Sequence, residues 1–330
     1  MPRRAIQLLL GPGTLPSQGA DRLDLLRYGA WLSGRAALTG DELLSAIPEI
    51  AGIADVTVDA GNPHPIGIVD DLRRLAVHID ALMRRPDVDG LVMVQGTNSI
   101  EETAFFLNLT VRSDKPVIVT GAQRPFTALS SDGAMNLVNA IRVAATPAAS
   151  GKGVLVVTND EINAARDVTK TSTYRLQTFR SRDLGVLGYA DPDGVVFYRA
   201  PTRRHTAASG FDIAAMGELP RVDILYVQVG ARGDLARAAV GLGAKGLVIA
   251  GSGAGALADR KDLAALVQDG IAVVRSARVG EGRVIRDDNW QEPGMIAADN
   301  LNPQKAALLL ALALAKTSDA DEIQRMFDEY

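Results

Sequence analysis

Short, uninterrupted apolar runs alternate along this chain with longer amphipathic stretches, and that alternation constrains the fold more than any single motif. The runs "AIQLLL", "GLVMVQG", "KPVIVTG" and "GVLVVTND" show no polar alternation, so as strands they would be covered on both faces. Between them lie "GDELLSAIPEIAGI", "IVDDLRRLAVHIDALM", "EETAFFLNLTV" and "AMNLVNAIRVAA", which read as amphipathic helices. The pattern predicts an α/β fold with a large N-terminal doubly wound parallel-sheet domain over residues 1–201. It dissolves at "TRRHTAASGFDIAAMGE", so 202–219 reads as a linker. A second series, from "VDILYVQVG" through "GLVIAGSGAGA" to "PQKAALLLALALAKT", predicts a smaller C-terminal α/β domain over 220–330.

The first run needs one distinction, because "MPRRAIQLLLGPGT" superficially looks like a secretory signal. Its apolar stretch is short and no small-residue cleavage pattern follows "GPG", so a first strand and a cytoplasmic location are expected.

Composition narrows the chemistry. A net charge of -4 without long charge runs leaves no footprint for nucleic acid and no basic amphipathic segment for a membrane, so a small-molecule partner is expected. Cysteine is absent, which removes thiolate catalysis, and the three histidines, His64, His78 and His205, are not at metal spacing. Neither metal nor cofactor is expected.

Open α/β sheets bind ligands beyond the carboxyl ends of their strands. Three such ends carry hydroxyls or an amine: "LLLGPGTLPSQ" with Thr14, "VMVQGTNSIEET" with Thr97, and "VLVVTNDEINAARDVTKTSTYRLQTF" with Lys170. Two threonines and a lysine in one crevice would suit acyl transfer. A threonine hydroxyl needs a base, a desolvated lysine can take its proton, and backbone N–H groups at glycine turns can hold the oxyanion. Each segment also has a structural reading: Thr14 as a turn residue, Lys170 as a solvated lysine, and Ser99 with Glu102 as a capping box for the helix that follows.

Taken together and in order, these segments resemble the bacterial-type asparaginase/glutaminase family. The family's "HGTDT-EETA-FL" is matched by "QGTNSIEETAFFL", its "KPVV-VGA-RP" by "KPVIVTGAQRP", and its "VTKT" by the same four residues around Lys170. Further matches are "SSDGAMNL", "VVRSARV" and "LNPQKAALLL", so the likeness runs almost end to end. The resemblance implies a two-domain α/β amidohydrolase that works on a small-molecule amide through a covalent acyl-enzyme, without a cofactor. It also implies self-association as a homotetramer of paired dimers, or a homodimer. Carried over residue by residue, Thr14 looks like the nucleophile, Thr97 like the second catalytic threonine, and Lys170 like the lysine that works with it. "DRLDLLRYGAW" is similar to a family lid, with Tyr28 as its assisting tyrosine.

Four departures fall on functional positions. Pro12 replaces a glycine of the first turn, and Asn98 replaces the aspartate that holds the substrate's α-ammonium. No serine for the substrate's carboxylate stands in "VDAGNPHPIGI", where His64 is nearest, and the family's "GVGNGN" turn reads Gly251-Ser252-Gly253-Ala254-Gly255-Ala256. Gln95, Gly96, Asn98 and His64 are therefore the candidate substrate contacts. The acyl-transfer groups persist while those for free amino-acid ends weaken, which predicts an amide, lactam or imide substrate other than free L-asparagine. A true L-asparaginase, releasing aspartate and ammonia, is the alternative. A non-catalytic binding protein, or a dinucleotide binder using "GSGAGALAD", is a more distant one.

Overall fold

A computed structural model describes residues 3–60, 66–286 and 294–330. It divides into two compact units, Met1–Ser209 and Gly210–Tyr330.

In the first unit the chain order is β1 (Ala5–Leu10), α1 (Ala30–Ser33), α2 (Gly40–Ala46), β2 (Asp55–Val58), α3 (Val69–Met83), β3 (Gly90–Val94), α4 (Ile100–Thr110), β4 (Val117–Thr120), α5 (Gly133–Ala144), β5 (Val154–Thr158), β6 (Glu161–Ala164), β7 (Thr169–Lys170), β8 (Phe179–Arg180), β9 (Gly188–Asp191) and β10 (Gly194–Phe197). The apolar runs become the sheet's centre: every residue of β3, β4 and β5 is buried, as strands covered on both faces require. Across the sheet the order is β10-β9-β6-β5-β4-β3-β1-β2. The strands from β2 to β5 run parallel.

The far edge is antiparallel, formed by β6, β9 and β10. Periodicity does not disclose these strands because none of them is buried throughout its four residues, unlike the uniformly buried β4. Their origin is nevertheless local. Asn159 and Asp160, at φ 53° and 65°, make a two-residue turn between paired Thr158 and Glu161 that folds β6 back on β5.

One feature of this topology positions the site. From β1 the chain moves outward to β2, then returns across β1 to place β3 on its other side. The succession reverses between β1 and β3, which is where an open sheet leaves its crevice. Leu10 and Val94 pair in register at the ends of these strands, so the turns that follow emerge side by side.

The second unit carries β11 (Val222–Tyr226), α6 (Asp234–Gly241), β12 (Gly246–Gly251), α7 (Arg260–Gln268), β13 (Ala272–Ala277), β14 (Ile296–Ala297), α8 (Pro303–Leu314) and α9 (Ala320–Glu329). Its sheet is parallel with order β11-β12-β13-β14. The glycine-rich turn after β12 closes on itself, with Ser252 and Ala256 exchanging backbone hydrogen bonds of 3.2 and 2.8 Å. A dinucleotide fingerprint instead feeds its turn straight into a helix whose N-terminus takes the pyrophosphate. Here α7 begins only at Arg260, which removes the basis for that reading.

Candidate active site

Two turns meet at the reversal between β1 and β3, and backbone geometry holds them together. Gly11 donates to the Val94 carbonyl at 2.8 Å, and Gly96 donates to the Pro12 carbonyl at 3.0 Å. Gly13 lies against the second turn so closely that a β-carbon would sit 2.5 Å from the Gly96 nitrogen. Only glycine permits this approach. Pro12 brings no N–H to the first turn, yet its carbonyl is what fastens that turn to its neighbour. The first turn is closed by the Ser17 N–H on the Thr14 carbonyl at 3.1 Å and by the Ser17 hydroxyl on the Gly13 carbonyl at 2.7 Å.

Each turn carries a buried threonine whose hydroxyl has an ordered partner. Thr14 donates to the Tyr28 hydroxyl at 3.2 Å. Tyr28 ends a loop shaped by Asp24, whose carboxylate accepts the backbone N–H groups of Leu26 and Arg27. Thr97 accepts from Lys170 Nζ at 2.7 Å and donates to Gln123 Oε1 at 3.2 Å. Lys170 arrives on β7, the first strand of a short hairpin with β8. Among the described residues, no acceptor takes the backbone N–H groups of Thr14, Thr97 or Asn98.

Burial pushes the Lys170 ammonium below the ordinary lysine value of 10.5, and the Glu101 carboxylate opposes that shift. Glu101 also accepts the Lys170 main-chain N–H at 3.4 Å. The lysine is thus made easier to deprotonate, as a base requires.

These groups line one cavity of about 1060 Å³. Thr14, Tyr28, Thr97, Asn98 and Lys170 stand on its wall, together with Gly96, Leu25, Leu26 and Tyr174. No aspartate or glutamate lines it among the described residues.

The other sequence expectations divide. Asn98 is exposed to the cavity and forms no side-chain hydrogen bond to the described residues. Gln95 does not line the cavity; its side chain turns into the fold and donates to Ser99 and Thr103 of the α4 region, both at 2.9 Å. The same contact explains why the expected capping box is not formed. Ser99 has φ −126° and ψ 16°, outside the extended region an N-cap adopts, and its side chain caps no backbone N–H. By contrast, Thr39 and Glu42 do form the reciprocal box at α2. His64 lies outside the described residues.

Sequence reasoning missed Gln123, Ser17 and the hairpin tip Thr171–Tyr174, all of which reach the cavity. Gln123 was accessible to the strand-end rule, since it follows β4 beside β3. Its turn is braced by Asp132, whose carboxylate accepts the N–H groups of Gln123 and Arg124, each at 3.0 Å.

Comparison with known proteins gives the family and the fold. Residues 6–203 match the family model described as Asparaginase, N-terminal, and residues 221–327 match that described as Glutaminase/Asparaginase C-terminal domain. An L-asparaginase 2 from Bacillus subtilis is 43% identical over 98% of this chain and 86% of its own. A probable L-asparaginase, periplasmic, from Haemophilus influenzae is 39% identical over 98% and 93%. The crystal structure of a probable cytoplasmic L-asparaginase from Campylobacter jejuni superimposes with a TM-score of 0.92 at 39% identity, covering 99% of this chain and all of that one. Two α/β units, matched at both halves, define an amidohydrolase acting on C–N bonds other than peptide bonds. The chain belongs to the asparaginase/glutaminase family.

Proposed function

We propose that this enzyme hydrolyses a small amide, lactam or imide lacking a free α-amino group, through an ester on Thr14. The Thr14 hydroxyl attacks the carbonyl carbon as its proton passes to the Lys170–Thr97 pair; the C–N bond then breaks, and the leaving nitrogen takes that proton back from the pair. Water then hydrolyses the ester. The unpaired backbone N–H groups of the two turns are suited to the oxyanion, and a Lys170 pKa lowered by burial suits proton transfer.

The observation that carries the substrate reading is that no carboxylate among the described residues stands on the cavity wall. An ammonium that loses a charged partner forfeits about 1.5–3 kcal/mol, roughly a tenfold to hundredfold loss of affinity. Ammonia release from primary amides and L-asparagine, and ring opening of lactams and imides followed by mass spectrometry, test the reading, with Thr14→Ala as control. The variant should lose at least about 10³-fold in kcat while keeping its melting temperature. Efficient turnover of L-asparagine at low concentration would overturn the substrate assignment.

The second reading, an L-asparaginase, is favoured by the names of the Bacillus, Haemophilus and Campylobacter relatives. It predicts that L-asparagine outruns every amino-free amide in the panel. The expected cytoplasmic location has the Campylobacter relative's name in its favour and the Haemophilus relative's against it; cell fractionation decides.

A further inference from the structure

Gln123 stands where the Thr97–Lys170 pair meets the hairpin tip, and its hydrogen bonds fix its orientation. Its Nε2 donates to the Arg175 carbonyl at 3.2 Å, while its Oε1 accepts from Thr97 at 3.2 Å. Reversing the amide would set its oxygen against the Arg175 carbonyl and its N–H against a Thr97 oxygen that already receives Lys170. The first contact would not be a hydrogen bond, so the Arg175 carbonyl is what fixes the amide with its oxygen toward Thr97. The backbone of Gln123 is held by Asp132 at 3.0 Å, so the carbonyl is presented from a rigid turn.

A threonine hydroxyl has a single proton to give. When Lys170 is an ammonium it donates to Thr97, and the Thr97 proton goes to Gln123. When Lys170 is a neutral amine its lone pair competes for that proton, and Gln123 loses its donor. The heavy-atom geometry accommodates the first arrangement, with Lys170 Nζ at 2.7 Å and Gln123 Oε1 at 3.2 Å from the threonine oxygen.

We propose that Gln123 is a positioning residue that directs the Thr97 proton away from Lys170 and so favours the protonated lysine at rest. The inference rests on the reading that Thr97 and Lys170 work as a pair. Burial works against the ammonium and Glu101, reaching in from α4, works for it. Gln123 adds a neutral acceptor on the same side as Glu101. The other titratable groups on the cavity wall are Tyr28 and Tyr174.

The test compares Gln123→Met, which removes the acceptor, with Gln123→Glu, which makes it anionic. With the best amide found in the panel, the rising limb of kcat/KM against pH should move down by about half to one unit in the first variant and up in the second. A merely structural role would lower the rate at every pH and leave the limb in place. The Lys170 Cε resonance in ¹³C-lysine protein, identified by its loss in Lys170→Met, should titrate with the same displacements. If no amide is turned over, the catalytic reading falls and the NMR titration still decides the role of Gln123. If both variants titrate as the parent, the Gln123 inference falls alone.

Discussion

Lys170 is set by two opposed influences, burial that disfavours its charge and the Glu101 carboxylate that supports it. Burial is the larger, so the lysine becomes a neutral base at a pH below 10.5, its ordinary value. Activity governed by it should therefore rise with pH along a limb centred below that value. Lys170→Met should abolish the limb and cost about 10²–10⁴-fold in kcat, read from a pH–rate series. Asn98 faces the same cavity without a charge. Asn98→Asp restores a carboxylate there, so KM for L-asparagine should fall about tenfold to hundredfold. The added anion also supports the ammonium, so the limb should move to higher pH in the same variant. An unchanged KM would show that the substrate's amino group is bound elsewhere.

At the scale of elements, the site depends on two turns that touch through backbone alone. The side chains that do chemistry hang from a contact in which glycine is required, since a β-carbon on Gly13 would meet the Gly96 nitrogen and α-carbon at 2.5 and 2.6 Å. Backbone cannot yield as a flexible side chain can. Gly13→Ala should destabilise the protein by about 1–3 kcal/mol, measured as a lower urea midpoint, and should lower kcat because Thr14 is carried by the displaced turn. The α4 helix shows the same dependence on context. Its Ser-x-x-Glu start has the letters of a capping box, but Gln95 engages Ser99 and the backbone there is not extended. A motif four residues long does not include the buried side chain that competes for it.

For the whole molecule, both units expose large apolar side chains: Leu23, Leu26 and Trp31 in the first, Tyr226, Val229 and Leu235 in the second. We propose that further copies of the chain cover such surface, as the family resemblance implies. Sedimentation equilibrium should give two or four times the protomer mass; a monomer at micromolar concentration would overturn the expectation. Much of the fold was legible without coordinates, because strands buried on both faces must be apolar throughout and helices must repeat at their own period. The parallel strands β1, β3, β4 and β5, the helices between them and the strand ends bearing Thr14 and Thr97 follow from that local rule, whereas Lys170 arrives on the separate β7–β8 hairpin. The antiparallel edge did not, since its strands mix buried and more exposed positions where β4, equally short, is buried throughout. The place of Gln123 after β4 follows the same strand-end rule, but its contacts with Thr97 and Arg175, 26 and 52 positions away along the chain, do not. Sequence alone therefore determined the class of fold and the family, through residues that report on their own burial and on motifs in order. Tertiary structure decided which groups share the cavity, that no described carboxylate lines it, and that the Thr97 hydroxyl lies within reach of both Lys170 and Gln123. These depend on distances between segments remote in sequence, which close only when the sheet does.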